Sequence, residues 1–544
     1  MLITQGASGI YHNVFRGMAL TLCVAFVCSV PTAASDGIDM TRVVREATLE
    51  NGLRVIAIRN PIAPAVSIVT NYLTGSAEDT VPGLAHAQEH MMFRGSGTVS
   101  SGGFAEAIGV MGGVFSANTQ SEMTQFSLEV PSNDLKSALL LERSRSSGIR
   151  DEDPSWNVER SAMRQEIAGD GSSAIFRMID KAGQAIFAGT PYANFGLGTT
   201  DSLNHINGDG LRAFYQKWYH PNNMLLVIDG DIDPMRTIDL VREIFGDLQP
   251  AALPPRATSE PIAVPVLHLL DHSGEAYSVV FAAFRTPGST DKDYFSSRIL
   301  KEVLSSDRGD LSSLQSKGTV FQAFAQTAVH RELAMTVVGA AFPVSSRPDA
   351  ILTSVLAVLN NYREKGIPAD LVDAAKRREL MAVAMTRTSI LDEALSYSGR
   401  VGIENRTPDE DIALLNAVTA DSVTAVLRRY FSEPHVTGVA TPAAGAGAAF
   451  AQPPAEELPH VRPSPQELPP FMRDVLSSSH LAPATRGVID RSLRNGMRVV
   501  VVPMPGSDVV SIRATNHSLI GDKRWPTRHL LARYSTVCCI IVMS

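Results

Sequence analysis

Between Glu46 and Pro442 the chain interleaves short β-branched apolar runs with longer stretches of helical periodicity. Period-two and period-3.6 segments that alternate in this way specify an α+β protein before any chemistry is considered. LRVIAIR (53–59) and AVSIVTNYLTG (65–75) read as strands paired around the turn-prone Asn60-Pro61, and TQFSLEVP (124–131) reads as another. DLKSALLLERSRSSG from Asp134, WNVERSAMRQEIAGD from Trp156 and DGLRAFYQKWY from Asp209 read as helices. MLLVIDGDID from Met224 is a buried strand ended by a turn, and PMRTIDLVREIFGDL is a closing helix. The proline-rich AALPPRATSEP (251–261) then breaks the pattern, which resumes with AYSVVFAAF, AFAQTAVH and LAMTVVGAAF as strands. DAILTSVLAVLNNYREKG and PADLVDAAKRRELMAVAMT follow as helices. Two α+β domains of similar size are expected, over 40–250 and 251–445.

The ends of the chain read differently. Arg16 precedes the apolar run Met18–Val30, too short to span a bilayer and followed by Pro-Thr-Ala-Ala-Ser, so residues 1–35 are expected to be a secretory signal peptide. Export to a periplasm, or beyond the cell, follows from that reading, with no stable membrane span once the signal is removed. All four cysteines lie in the first 28 or the last seven residues. The body between them is therefore free of thiol ligands and thiol nucleophiles, and a metal site there must use His, Asp or Glu. The net charge of −8 gives no basic footprint, so nucleic acid is not an expected partner. Residues 446–484 are rich in Pro and Ala and read as a linker. RSLRNGMRVVVVPMPGSDVVSI (491–512) echoes REATLENGLRVIAIRNPIAPAVSI (45–68), Asn495-Gly496 standing for Asn51-Gly52. Residues 485–544 are thus expected to begin a repeat of the first domain, truncated and with a tail that is not native-like.

GLAHAQEHMMF (83–93) concentrates two of the chain's 13 histidines. On a helix a step of four residues turns the chain by about 400°, so His86 and His90 stand on one face with both imidazoles able to reach one ion. Glu89 points close to that face, near enough to touch a water on the ion without being a ligand. The order inverts the His-Glu-x-x-His arrangement. An incidental histidine pair on a surface helix satisfies the same spacing, and catalytic zinc needs three protein ligands. A carboxylate on another helix is the natural third. Glu159 and Glu166 are about 700° apart and share a face, yet beside Arg160 and Arg164 the spacing alone reads first as a solvated acidic stripe.

GLAHAQEHMMFRGS resembles the zinc motif of the pitrilysin and insulysin peptidases, which include the mitochondrial processing peptidase. That family carries a Glu-x(6)-Glu pair downstream of its second histidine, and Glu159 and Glu166 fall on it. The stretch GTTDSLNHINGDGLRAFYQKWYHPNNMLLVIDGDIDP (198–234) is similar to the end of the family's first domain. The resemblance implies paired domains, each a mainly antiparallel sheet flanked by helices, closing on a peptide like a clamshell. It implies one zinc ion per chain on His86, His90 and Glu166, with Glu89 as catalytic base and Glu159 as supporting acid. The implied activity is endoproteolysis of peptides or unfolded segments, Glu89 assisting the attack of zinc-bound water.

Departures from the family pattern bear on substrate grip. GGVFSANT puts Ser116, followed by Ala117, where the family has an asparagine that holds the substrate backbone. SLQSKGTVF puts Leu314 and Phe321 where the family usually has an arginine and a tyrosine. Ser116, Ala117 and Phe321 are the candidate substrate contacts. Two alternatives stay open: a non-catalytic peptide-binding subunit, and an inactive fragment of a longer two-copy peptidase. Whether the chain works alone, as a homodimer or with a partner subunit is also open.

Overall fold

The computed structural model of the chain describes residues 42–149, 153–194, 196–256, 258–432, 434–443, 469–472, 489–502, 509–515 and 536–542. The expected signal peptide, and the expected linker apart from 469–472, lie outside the described residues.

Sheet one contains β1 (Val43–Thr48), β2 (Arg54–Arg59), β3 (Ala65–Tyr72), β4 (Val114–Thr119), β5 (Thr124–Pro131) and β6 (Met224–Gly230), in the order β1-β2-β6-β3-β5-β4. Sheet two contains β7 (Leu267–Ser273), β8 (Ser278–Pro287), β9 (Gln322–Val329), β10 (Leu333–Phe342) and β11 (Val436–Pro442), in the order β7-β11-β8-β10-β9. Apart from β1, the two orders are the same path: the last strand enters between the first and second, and the third lies at an edge. In each sheet one parallel pair, β2 with β6 and β7 with β11, sits among antiparallel neighbours.

The pairing of β2 with β3 across Asn60-Pro61 is not found: β6 lies between them. The physical reason is that β2 already forms a hairpin with β1 through Asn51-Gly52, while every residue of β6 is buried. A strand buried on both faces and apolar from Met224 to Ile228 is most stable with a neighbour on each side, which is the centre of the sheet.

The first half carries α1 (Leu84–Met91), α2 (Gly103–Met111), α3 (Leu135–Arg145), α4 (Asp153–Gly171), α5 (Ala174–Ile186), α6 (Ser202–His205), α7 (Gly208–Trp218) and α8 (Pro234–Phe245). The second carries α9 (Tyr294–Leu304), α10 (Ser313–Ser316), α11 (Pro348–Lys365), α12 (Ala369–Thr386), α13 (Ile390–Gly402), α14 (Pro408–Ala417) and α15 (Ala420–Tyr430). No helix among the described residues is long and apolar enough to cross a membrane.

Strand alternation divides each sheet between two cores. Val55, Ala57, Val66 and Ile68 face the helices of their own half, whereas Ile56, Ile58, Val69 and Val227 face Ala394, Tyr397 and Val401 of α13. Sheet two returns the arrangement: Val280, Ala282 and Val338 face α9, α11 and α15, while Val279, Phe281 and Val337 face Met178, Ala182 and Ile186 of α5. Each half therefore lends a helix to the other's sheet. Arg177 of α5 forks onto both oxygens of Asp271 on β7 at 2.9 Å, and Arg285 donates to the carbonyl of Ile186 at the end of α5.

Polar groups accompany α13 into this interface. Arg42 bonds Glu393 at 2.7 Å and Tyr397 Oη at 2.8 Å, and Asn60 Nδ2 donates to the other Glu393 oxygen at 2.9 Å. Asp229 of β6 is buried beside Glu393, and burial, then the Glu393 charge, pushes its carboxyl up to about 10 from 3.8. A folded-state pKa above the unfolded one means that the folded protein holds the extra proton across this range. Stability contributed by Asp229 is thus complete below about pH 4 and is lost as pH rises towards about 10. Asp229→Asn should gain on the order of 1–2 kcal/mol at pH 8, with a smaller gain at pH 5, in urea unfolding curves. An equal loss at both pH values would refute this.

Within the span of the expected repeat, the described residues include two short paired strands. β12 (Ile489–Ser492) and β13 (Arg498–Val501) pair with Ser492 opposite Arg498, as Thr48 of β1 pairs with Arg54 of β2. The turns match bond for bond: Leu493 N to Met497 O at 2.8 Å against Leu49 N to Leu53 O at 2.9 Å, with Gly496 at φ 83° and Gly52 at φ 84°. That left-handed conformation is why glycine stands at both positions. The burial differs, since Leu53 is fully buried whereas Met497 is 54% exposed. β14 (Val509–Thr515) pairs antiparallel with β15 (Thr536–Val542).

Candidate metal centre

The centre is built on α1, which enters the core from a tight turn. Gly83, the residue before the helix, has φ 89°, and a Cβ there would meet Gly198 Cα and Leu197 O at 3.0 Å. The Asp79 carboxylate accepts from the amides of Gly83 at 2.8 Å and Ala85 at 2.7 Å, satisfying donors that the first helical turn leaves unpaired. Burial raises the Asp79 carboxyl to about 7, against the lowering effect of these amides. An anchored helix start fixes the direction in which His86, one turn later, leaves the backbone.

α4 packs against α1, and its buried residues Trp156, Glu159 and Met163, spaced three and four residues apart, share one helical face. Trp156 Nε1 donates to Ile206 O at 2.7 Å, which pins the start of α4. The next position on that face is Glu166, partly exposed at the mouth of the site.

Three side chains from the two helices converge. His86 Nε2 and His90 Nε2 are 3.2 Å apart, and Glu166 Oε2 is 3.7 Å from each. One ligand atom from each of the three lies within 4.8 Å of the others. His90 Nδ1 meets Glu159 Oε2 at 2.8 Å, and Glu159 Oε1 is held by Arg94. His86 Nδ1 is buried without a hydrogen-bond partner among the described residues. Glu89, also buried, accepts from Thr119 Oγ1 of β4 at 2.5 Å.

The electrostatics favour a cation. Burial, and then His90, lowers His86 to about 3, and burial lowers His90 as well, so both rings are neutral at pH 7 and each presents a lone pair. Two neutral imidazole nitrogens facing each other can share only one proton, whereas a cation between them uses both lone pairs. With one carboxylate oxygen added, the donor set is two nitrogens and one oxygen, which fits zinc with a position left for water. Burial raises the Glu89 carboxyl to about 7, against the lowering by Thr119. A buried acid near neutrality can both take and return a proton.

The sequence candidates divide by location. His86, Glu89, His90, Glu159 and Glu166 come together. Ser116 and Ala117 lie on β4, the outermost strand of sheet one, whose last residue is Thr119. Phe321 is 60% exposed immediately before β9, at an edge of sheet two, while Leu314 is buried in the core of that half. Arg94, Thr119 and Asp79 were not among the candidates. The only sequence signal for Arg94 is its place one helical turn after His90.

A family description headed "Insulinase (Peptidase family M16)" matches residues 54–164, and one headed "Peptidase M16 inactive domain" matches residues 205–379. An uncharacterized zinc protease of Streptomyces coelicolor is 26% identical over 404 residues, 71% of this chain and 86% of that protein. Among solved structures, a protease from Helicobacter pylori superposes with TM-score 0.68 at 18% identity, over 74% of this chain and 100% of that one. The periplasmic protease PqqL from Escherichia coli gives TM-score 0.63 at 19% identity, over 89% of this chain and 58% of that one. With both domain descriptions matched in order, the chain belongs to the M16, insulinase-like family of zinc peptidases.

Proposed function

We propose that this protein is a zinc-dependent endopeptidase that cuts peptides or unfolded segments within a chamber closed by its domains. The observation that carries this reading is the convergence of His86, His90 and Glu166 beside a buried, hydroxyl-bonded Glu89. The naming of relatives such as the Streptomyces protein as zinc proteases supports it.

His86 Nε2, His90 Nε2 and Glu166 Oε2 would hold one zinc ion per chain. When bound, such an ion acidifies water and polarises a carbonyl. Glu89 accepts the proton of the attacking water at its free carboxylate oxygen and returns it to the leaving amine. Thr119 holds the other oxygen, so the base keeps one orientation through both transfers. Glu159 accepts from His90 Nδ1 and fixes that ring. The outer edge of β4, unpaired among the described residues, offers backbone groups to an extended peptide, which would run past Ser116 and Ala117 towards Glu89 as an added strand. Phe321, at the edge of the other sheet, would give an apolar contact further along the peptide. An exported enzyme acting in a periplasm fits the apolar N-terminal run and the periplasmic structural neighbour.

The test uses the full chain. Elemental analysis should find one zinc per chain, and a quenched peptide should be cleaved in a chelator-sensitive manner by the wild type but not by Glu89→Gln. Stoichiometric zinc with cleavage by neither protein would favour the peptide-binding subunit instead.

A further inference from the structure

Glu159 and Glu166 are the same chemical group on the same face of α4, and both reach His90. Glu159 Oε2 lies 2.8 Å from Nδ1 and Glu166 Oε2 lies 3.7 Å from Nε2. They differ in burial, Glu159 being buried and Glu166 partly exposed, and in the presence of Arg94. Its guanidinium leaves the turn that continues α1, donates through Nε to Glu159 Oε1 and pairs through Nη2 with the same oxygen. Among the described residues no arginine or lysine forms an ion pair with Glu166, whose partners are the two imidazoles.

We propose that Arg94 is the positioning residue that gives the two glutamates different roles. The inference rests on reading His86, His90 and Glu166 as the metal set. By occupying Oε1, Arg94 turns Oε2 of Glu159 towards His90 Nδ1 and keeps this carboxylate off the side where the Nε2 atoms meet. Nδ1–H then donates to Glu159, which leaves the Nε2 lone pair bare and aimed at the ion. Glu166, paired with no lysine or arginine among the described residues, is free to close on the same ion. The contact also joins the end of α1 to α4, so it sets the register between the helix that brings two donors and the helix that brings the third. A lysine keeps the charge but lacks the planar pair of donors, so it would hold Glu159 less firmly.

The experiment measures Zn²⁺ affinity of the full chain by competition with a chromophoric chelator, and the visible bands of the Co²⁺-substituted protein. The proteins are wild type, Arg94→Met, Arg94→Lys, Glu159→Gln, the Arg94→Met/Glu159→Gln double variant and Glu166→Gln. Arg94→Met and Glu159→Gln should each weaken Zn²⁺ about ten-fold and shift the Co²⁺ bands. The double variant should lie within about two-fold of either single one, because both act through one unit. Arg94→Lys should recover part of the loss. Wild-type affinity and an unaltered Co²⁺ spectrum in Arg94→Met would overturn the proposal, as would a double variant that multiplies the two losses. Should Arg94→Met not fold by circular dichroism, Arg94→Lys decides: weaker Zn²⁺ binding with shifted bands supports the assignment, and unchanged values overturn it. Unchanged affinity in Glu166→Gln would instead remove the underlying metal reading.

Discussion

Glu89→Gln is expected to lower kcat/KM on a quenched peptide by about two to four orders of magnitude while one metal ion per chain stays bound. The substitution keeps the size of the side chain and an oxygen that can accept from Thr119 Oγ1, so the packing around α1 should survive. What it removes is the ability to take up a proton. The large effect follows from the burial of this residue: solvent has little access, and the other two carboxylates of the site, Glu159 and Glu166, face the imidazoles. Initial rates and elemental analysis on the same preparations separate the loss of proton transfer from the loss of metal. A variant that retains a tenth or more of the wild-type activity would show that the proton goes elsewhere.

The second large effect is on metal. His90→Ala deletes a donor and also strands Glu159, whose Oε2 loses the imidazole it meets at 2.8 Å. Stoichiometric zinc should be lost on dialysis, and activity with it. A readout independent of turnover is thermal stability: zinc at about 1,000 times its Kd should stabilise the wild type by about 4 kcal/mol and leave His90→Ala unmoved. Equal stabilisation of both proteins would mean that the ion binds elsewhere.

The elements whose apolar pattern is complete were legible in the sequence. The strand of Met224–Gly230 and the helices beginning at Trp156 and Asp209 are carried by local periodicity, and the structure places helices and strands there. Proximity along the chain favours a hairpin of β2 with β3, whereas the sheet places the buried, largely apolar β6 between them. β4 has only a weak signature in the sequence because Gly112-Gly113 and the polar Ser116 and Asn118 dilute its alternation, as suits a strand at the edge of its sheet. Sequence spacing brought His86, His90 and Glu89 to one face of one helix, since that relation is internal to the helix. Thr119 and Arg94 could not be reached in this way: one depends on a strand passing over α1, the other on the register between α1 and α4.

The exchange of α5 and α13 between the halves has a consequence for how the chain reaches its native state. A break anywhere in the connection between α8 and β7 would leave each half with one bare apolar sheet face, because the helix that shields it belongs to the other fragment. Neither fragment is then a self-sufficient folding unit. The halves should melt in a single transition, and fragments produced apart should aggregate until they are mixed.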